Sequence, residues 1–197
     1  MAARPLVAGV LAVQGDVEEH ARALERSGAR VRLVKTVAAL REVDALVVPG
    51  GESTTVIKLL DWFGLTEPIV ERVRDGLPFW GTCMGMIVAA HDVADMEQKT
   101  LDLLDVTVRR NAFGRQVASA EVPLDIPALG AEQFPGVFIR APWIERAGPA
   151  VEVLASYGGH GVFVRQGNVM GTAFHPELTA DGRVHDYFVK MATAAQS

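Results

Sequence analysis

Cys83 is the only cysteine in the chain and stands in "FWGTCMGMIVAA" (79–90), between Gly81 and Gly85. Phe79 and Trp80 read as the end of a buried strand, Gly81 and Thr82 as a turn, and Met84 to Ala90 as the first turns of an apolar helix. A thiol at such a junction has two physical advantages. Flanking glycines leave room for strained backbone and for close substrate approach. The helix N-terminus carries partial positive charge, which favours thiolate over thiol. A buried structural cysteine fits the same turn, so the turn alone leaves nucleophile and core filler both open.

A cysteine nucleophile needs a base, usually a histidine oriented by a third group. Of five histidines, His20, His91, His160 and His185 read as solvated side chains on helix faces or turns. His175, in "TAFHPEL", stands at the end of a strand-like run. Pro176 biases it toward extended backbone, where residues two apart share a side, so Glu177 can stand beside the imidazole. A carboxylate there would fix the tautomer and stabilise imidazolium. A turn with an incidental His and Glu is the alternative reading of these residues.

"VVPGGESTT" (47–55) lacks the lysine of a nucleotide phosphate loop. Two glycines after a strand instead suit a backbone that turns N–H groups toward an anion or oxyanion. An ordinary strand-to-helix turn capped by Ser53 or Thr54 explains the same residues. "RRNAFGRQ" (109–116) and "FIRAP" (138–142) put arginines near strand ends, where they could hold a substrate carboxylate or stay solvated.

These residues need a frame. "LVAGVLAVQ", "RVRLVK", "DALVVPGG" and "LPFWGT" read as strands, separated by helices over "DVEEHARALERSG", "TVAALREV", "PIVERVRDG" and a segment after Ser53. Asp16 is placed to cap the first helix and Gly28 to end it. Val56, Leu59, Leu60 and Phe63 form the expected apolar stripe of the helix after Ser53. Such alternation predicts an open, mostly parallel sheet with helices on both faces. From about residue 104, short strands with turn signals predict antiparallel additions, and "GRVHDYFVKMA" a closing helix. One α/β domain spanning 1–197 is expected. Ligands of such sheets bind beyond the carboxyl ends of the parallel strands, so Gly15, the "PGGES" loop and Cys83 should meet along one edge.

Composition narrows the function. Net charge is -5, with 49% hydrophobic and 22% charged residues; this argues for a globular chain and against nucleic acid or anionic membrane as partners. A single cysteine excludes an internal disulfide and thiolate-pair zinc sites, which favours a reducing compartment. "LVAGVLAV" after Arg4 reads as a first buried strand and not as a signal peptide, because "GDVEEH" follows directly. A cytoplasmic protein is expected.

"PGGES", "GTCMGM" and "HPE" in this order resemble the class I (triad) glutamine amidotransferases. "GVLAVQGDVEEH", "VVPGGESTT", "RRNAFGRQ", "FIRAP" and "TAFHPEL" narrow the resemblance to glutaminase subunits of pyridoxal 5'-phosphate synthases, over nearly the whole chain. The resemblance implies Cys83 as nucleophile, His175 as general base and Glu177 as orienting carboxylate. It implies oxyanion N–H groups from Gly51 and Met84, and a glutamine site of Gly50, Gly51, Glu52, Arg110, Ile139 and Arg140, with Arg109 a weaker contact. L-glutamine would yield glutamate and ammonia through a thioester, with no cofactor and no metal. The ammonia would pass to a synthase subunit, a β/α barrel, with Gln14 placed where the two could be coupled. Met84 departs from the alanine more common at this elbow and could crowd the oxyanion pocket. The N-terminus starts a few residues early, which reads as a short frayed tail. A glutaminase of another pathway, such as histidine biosynthesis, or a non-catalytic subunit of the same fold, are the competing readings.

Overall fold

The computed structural model describes residues 4–94, 96–111 and 119–196. The expected tail at 1–3 and most of the loop in "RRNAFGRQ" lie outside them. Strand β1 (Val7–Leu11) passes through helix α1 (Val17–Arg26) to β2 (Arg30–Val34), and α2 (Val37–Arg41) leads to β3 (Ala45–Val48). Helices α3 (Ser53–Trp62) and α4 (Thr66–Arg74) precede β4 (Phe79–Thr82), which runs into α5 (Met84–Ala89). Strands β5 (Ala90–Val93), β6 (Leu104–Arg109), β7 (Ser119–Leu124) and β8 (Phe134–Ile139) follow. Then come β9 (Trp143–Ala147), β10 (Glu152–Tyr157), β11 (His160–Gln166), β12 (Val169–Thr172) and α6 (Arg183–Ala194).

The main sheet runs β2-β1-β3-β4-β12-β11-β9-β6-β5, with β10 paired to β11, and β7–β8 forms a separate antiparallel pair. From β2 to β12 every neighbour is parallel. From β12 through β11 and β9 to β6 the pairings are antiparallel, and the outer β5–β6 pair is parallel again. The α/β frame with antiparallel additions is therefore the one that the residue pattern predicts.

Successive residues of a strand face opposite sides, and β4 shows what covers each. Trp80 meets His20 of α1 and His185 and Phe188 of α6, whereas a Cβ on Gly81 would collide with Gly85 and Met86 of α5. Helices thus lie on both faces. Trp80 is fully buried; removing on the order of 200 Å² of ring surface from water stabilises the fold by about 5 kcal/mol. Its indole N–H donates to Thr172 Oγ1 at 3.1 Å, so the polar edge is satisfied.

Several local expectations fail for identifiable reasons. Gly81 and Thr82 belong to β4, because they pair with Gly171 and Thr172 of β12; only Cys83 makes the turn. Helix α5 stops at Ala89, and the chain continues as β5, whose apolar start the sequence pattern merges with the helix. In α3, Ile57 is buried in place of Phe63, which is 47% exposed. The helix packs against α5 and α4.

His20 and His185 are not solvated. Both are fully buried, with His20 Nδ1 3.1 Å from His185 Nε2. Each histidine joins the apolar face of an amphipathic helix, beside Ala23 and Leu24 in α1 and beside Val184, Phe188 and Ala192 in α6. His91 is exposed and pairs with Asp102, while His160 stacks on Trp143 at 3.8 Å. Burial, then the neighbouring His185 and His175, push the His20 pKa well below its ordinary value. Burial, with Arg26 adding to it, lowers His185 to about 3.

A depressed folded-state pKa contributes stability above the unfolded value of about 6.5 and loses it as pH falls through the folded value. Unfolding free energies from urea titrations should therefore fall between pH 7 and pH 4, by up to about 1.4 kcal/mol per pH unit for each such histidine. A His185→Phe variant should show a shallower pH dependence than the wild type over that window.

Candidate active site

The carboxyl ends of β1, β3, β4 and β12 border a cavity of about 460 Å³. Its walls are Gln14, Asp16, Gly51, Glu52, Ser53, Cys83, Met84, Ile87, Arg110, Asn111, Ile139, Arg140 and His175. The expected convergence of Gly15, the "PGGES" loop and Cys83 is present. A Cβ on Gly15 would lie 1.7 Å from the Gly50 carbonyl oxygen, so the loops after β1 and β3 touch through bare backbone.

Cys83 has φ 52° and ψ -104°, in a region that side chains other than glycine rarely adopt. Holding a residue there costs about 1–3 kcal/mol. The surroundings impose it: the Cys83 N–H donates to the Thr172 carbonyl at 2.6 Å. A Cβ on Gly85 would reach 2.1 Å from the Val48 carbonyl oxygen, so α5 can leave β4 this sharply only with glycine at that position. Met84 and Gly85 open the helix, where backbone N–H groups have no intrahelical acceptor. The Cys83 thiol lies 3.9 Å from the Ile139 carbonyl oxygen.

His175 follows β12 and is almost fully buried. Its backbone N–H donates to Val137 of β8 at 2.8 Å. Pro176–Leu178 forms a turn of 3-10 helix, so the extended geometry expected for this stretch is absent. The contact survives the change of backbone: His175 Nδ1 donates to Glu177 Oε1 at 2.7 Å. The ring is thereby oriented with Nε2 available to the sulfur. Asp16 Oδ2 lies 3.5 Å from the same Nδ1. Asp16 heads α1 but makes no side-chain cap.

Burial disfavours a charged His175 ring, but Asp16, Cys83 and Glu177 outweigh it and push the pKa up to about 12. Glu177, fully buried at 2.7 Å, is the better-aligned partner; Asp16 is longer and its side chain is 41% exposed. Burial raises Glu177 above the usual carboxylate range, against the pull of His175. Both carboxylates thus face the Nδ1 edge of the ring, a setting that favours its protonated form. That arrangement supports nucleophilic attack by sulfur and later return of a proton to a leaving amine.

The two glycines of the "PGGES" loop lie differently. Gly51 lines the cavity, whereas Gly50 packs beneath His175: a Cβ there would reach 2.6 Å from His175 Cε1. Gln14 Oε1 accepts the Glu52 N–H at 3.1 Å and thereby pins the loop to the end of β1. Helix α3 is capped by Glu52 and not by Ser53 or Thr54, with Glu52 accepting the N–H groups of Thr54 and Thr55. The Thr54 hydroxyl, more than any other contact, lowers the Glu52 pKa to about 2 despite some opposing burial, with the Thr55 contacts adding to it. Arg110 pairs with Glu52 at 3.2 Å. Arg109 points elsewhere, into an ion pair with Glu145. Arg140 lines the cavity at φ 43°. Asp16, Ser53, Ile87 and Asn111 line the wall beyond the residues that the sequence suggests, and the acid after Gly15 in "QGD" is the one readable hint, for Asp16.

A thiol on a strained elbow and a carboxylate-bound imidazole on the wall of one cavity are the groups that cysteine-dependent acyl transfer on an α/β sheet requires. The chain belongs to the SNO glutamine amidotransferase family, whose model matches residues 10–194. It is 54% identical over 190 residues to the "Pyridoxal 5'-phosphate synthase subunit PdxT" of Streptomyces avermitilis, covering 95% of this chain and 94% of that one. The protein of the same name from Mycobacteroides abscessus is 54% identical over 192 residues, covering 96% and 98%. A solved structure described as "Crystal structure of glutamine amidotransferase" superposes with TM-score 0.89 at 47% identity, over 94% of this chain and 98% of the other. PurLQS from Thermotoga maritima shares the fold at TM-score 0.70 and 16% identity, over 98% and 97%.

Gly85→Ala should overpack the elbow against Val48, costing about 1–3 kcal/mol. A lowered thermal midpoint together with slower alkylation of Cys83 by iodoacetamide is the expected readout.

Proposed function

We propose that this chain is the glutaminase subunit of a pyridoxal 5'-phosphate synthase. The carrying observation is the His175 ring, held by Glu177 at 2.7 Å on the wall of the cavity that also contains Cys83. Cys83 Sγ attacks the side-chain amide carbon of L-glutamine. The carbonyl oxygen becomes an oxyanion facing the N–H groups of Gly51 and Met84. His175 gives its proton to the departing nitrogen, which leaves as ammonia, and a glutamyl thioester remains. Water, deprotonated by His175, then attacks the thioester, releasing glutamate and restoring the thiol.

Arg110 supplies a cation for the substrate α-carboxylate and Glu52 an anion for its α-ammonium group, so glutamine would exchange their mutual ion pair for two new ones. Gly50, Ile139 and Arg140 shape the remainder of the glutamine site. Met84 leaves the backbone donor intact, and its side chain is buried. The chain as a whole acts as one glutaminase domain, with no cofactor or metal of its own.

Ammonia is delivered to a separate synthase subunit, a β/α barrel, in the cytoplasm. Among the described residues no helix is long and apolar enough to cross a membrane. The 54% relatives carry the vitamin-pathway name, which favours this reading over a histidine-pathway glutaminase. The assembled Cys83, His175 and Glu177 favour it over a non-catalytic subunit.

Glutamate release from glutamine should rise when the synthase subunit is added and fall at least about a thousand-fold in Cys83→Ala. Undiminished turnover in that variant would remove the mechanism.

A further inference from the structure

Behind the proposed triad lies a pair of histidines, His20 and His185, that the mechanism does not use. Glu177 offers one carboxylate oxygen, Oε1, to His175. The other, Oε2, is buried, and so is His20 Nε2 of α1. Among the described residues neither atom has a full hydrogen bond to another group. They lie 3.4 Å apart. A carboxylate oxygen and a ring nitrogen enclosed together at that distance either share a proton or repel through facing lone pairs.

The third member settles the proton count. His20 Nδ1 is 3.1 Å from His185 Nε2, a spacing that holds one proton between two neutral rings. Were that proton on His20 Nδ1, the neutral ring would present a bare lone pair at Nε2 to the Glu177 carboxylate. With the proton on His185 Nε2, His20 accepts at Nδ1 and donates from Nε2. The carboxylate selects the second arrangement. Trp80 stands edge-on to both rings, with centroids 5.1 Å from His20 and 4.9 Å from His185, which limits their rotation.

We propose that His20 is a positioning residue for the triad: its Nε2–H holds Glu177 Oε2, and His185 fixes the His20 tautomer from behind. The chain of contacts runs from His185 on α6 through His20 on α1 and Glu177 to His175. This rests on the reading of Cys83, His175 and Glu177 as the catalytic set. The other charged or titratable groups facing the cluster are Asp16, against His175 Nδ1, and Cys83 on the cavity side, with Arg26 of α1 acting on His185. His20 supplies the hydrogen bond that keeps Glu177 ionised in a site where burial favours its protonation.

Two measurements on the protein complexed with its synthase subunit test this. In the wild type, nitrogen-15 NMR of the histidine rings should show His20 and His185 protonated at Nε2 and bare at Nδ1. A His20 ring protonated at Nδ1 overturns the proposal without any variant having to fold.

In steady-state glutaminase assays, His20→Leu should lower kcat about 10–100-fold, the usual cost of losing such an orienting partner, and leave KM nearly unchanged. Without the donor, Glu177 keeps its proton to higher pH, so the acid limb of kcat/KM should move to higher pH. His20→Gln, whose amide nitrogen can reach the same place, should restore both kcat and the limb. Equal losses in both variants with an unmoved limb would make His20 a packing residue only. Inactive Cys83→Ala with wild-type behaviour in His20→Leu would remove this role alone, whereas active Cys83→Ala would remove the triad reading itself.

Discussion

The parallel, in-register pairing of β4 with β12 is the contact on which the site depends. Phe79 to Thr82 lie opposite Val169 to Thr172, one residue to one. The next hydrogen bond beyond the ladder is the one from Cys83 N–H to the Thr172 carbonyl. It ties the residue that leaves β4 to the end of the strand that delivers His175. A slip of one residue would turn every side chain of one strand to the other face and separate sulfur from imidazole. The two glycines of the ladder, Gly81 and Gly171, lie opposite each other and admit Met86 of α5 close to the sheet. The register and the elbow are therefore the same constraint seen from two directions.

A site built in this way concentrates unfavourable groups. Cys83 is held at positive φ, Glu177 is an acid with its side chain out of water, and His20 and His185 are rings deprived of solvent. Each would be destabilising alone. Placed in sequence, they satisfy one another's hydrogen bonds in part, and Trp80 with Phe188 supplies apolar burial around them. The mouth of the cavity is organised differently. Glu52, Arg110, Gln98 and Ser53 form a partly exposed polar network, with Ser53 Oγ donating to Gln98 at 3.0 Å. Such a network can be rearranged by an incoming zwitterion at modest cost, whereas the interior chain cannot.

The elements were legible where pattern and burial agree. The valine- and leucine-rich runs of β1 and β3 are buried on both sides and read as such. Cys83, His175 and Glu177 were legible because a lone thiol between glycines and a His-Pro-Glu run are chemically uncommon. Glu177 was placed correctly by an argument about extended chain that the 3-10 turn contradicts; two residues of separation bring the groups together in either conformation. Glu52 was read as part of the loop and not as the cap of α3, because the capping scale favours Ser and Thr and carries no information about which residue faces the helix axis.

Local chemistry along the chain determined the parallel α/β frame, the elbow at Cys83 and the identity of the candidate acid and base. Those follow from side-chain type, short-range steric rules and the order in which strand-like and helix-like segments alternate along the chain. Tertiary structure alone decided that His20 and His185 are buried, that they stand behind Glu177, and that Asp16 turns from its helix toward His175. The physical reason is that burial is a property of what packs against a helix face, and α1 and α6 are distant in sequence. No periodicity within either helix records that the other, with Trp80, covers it.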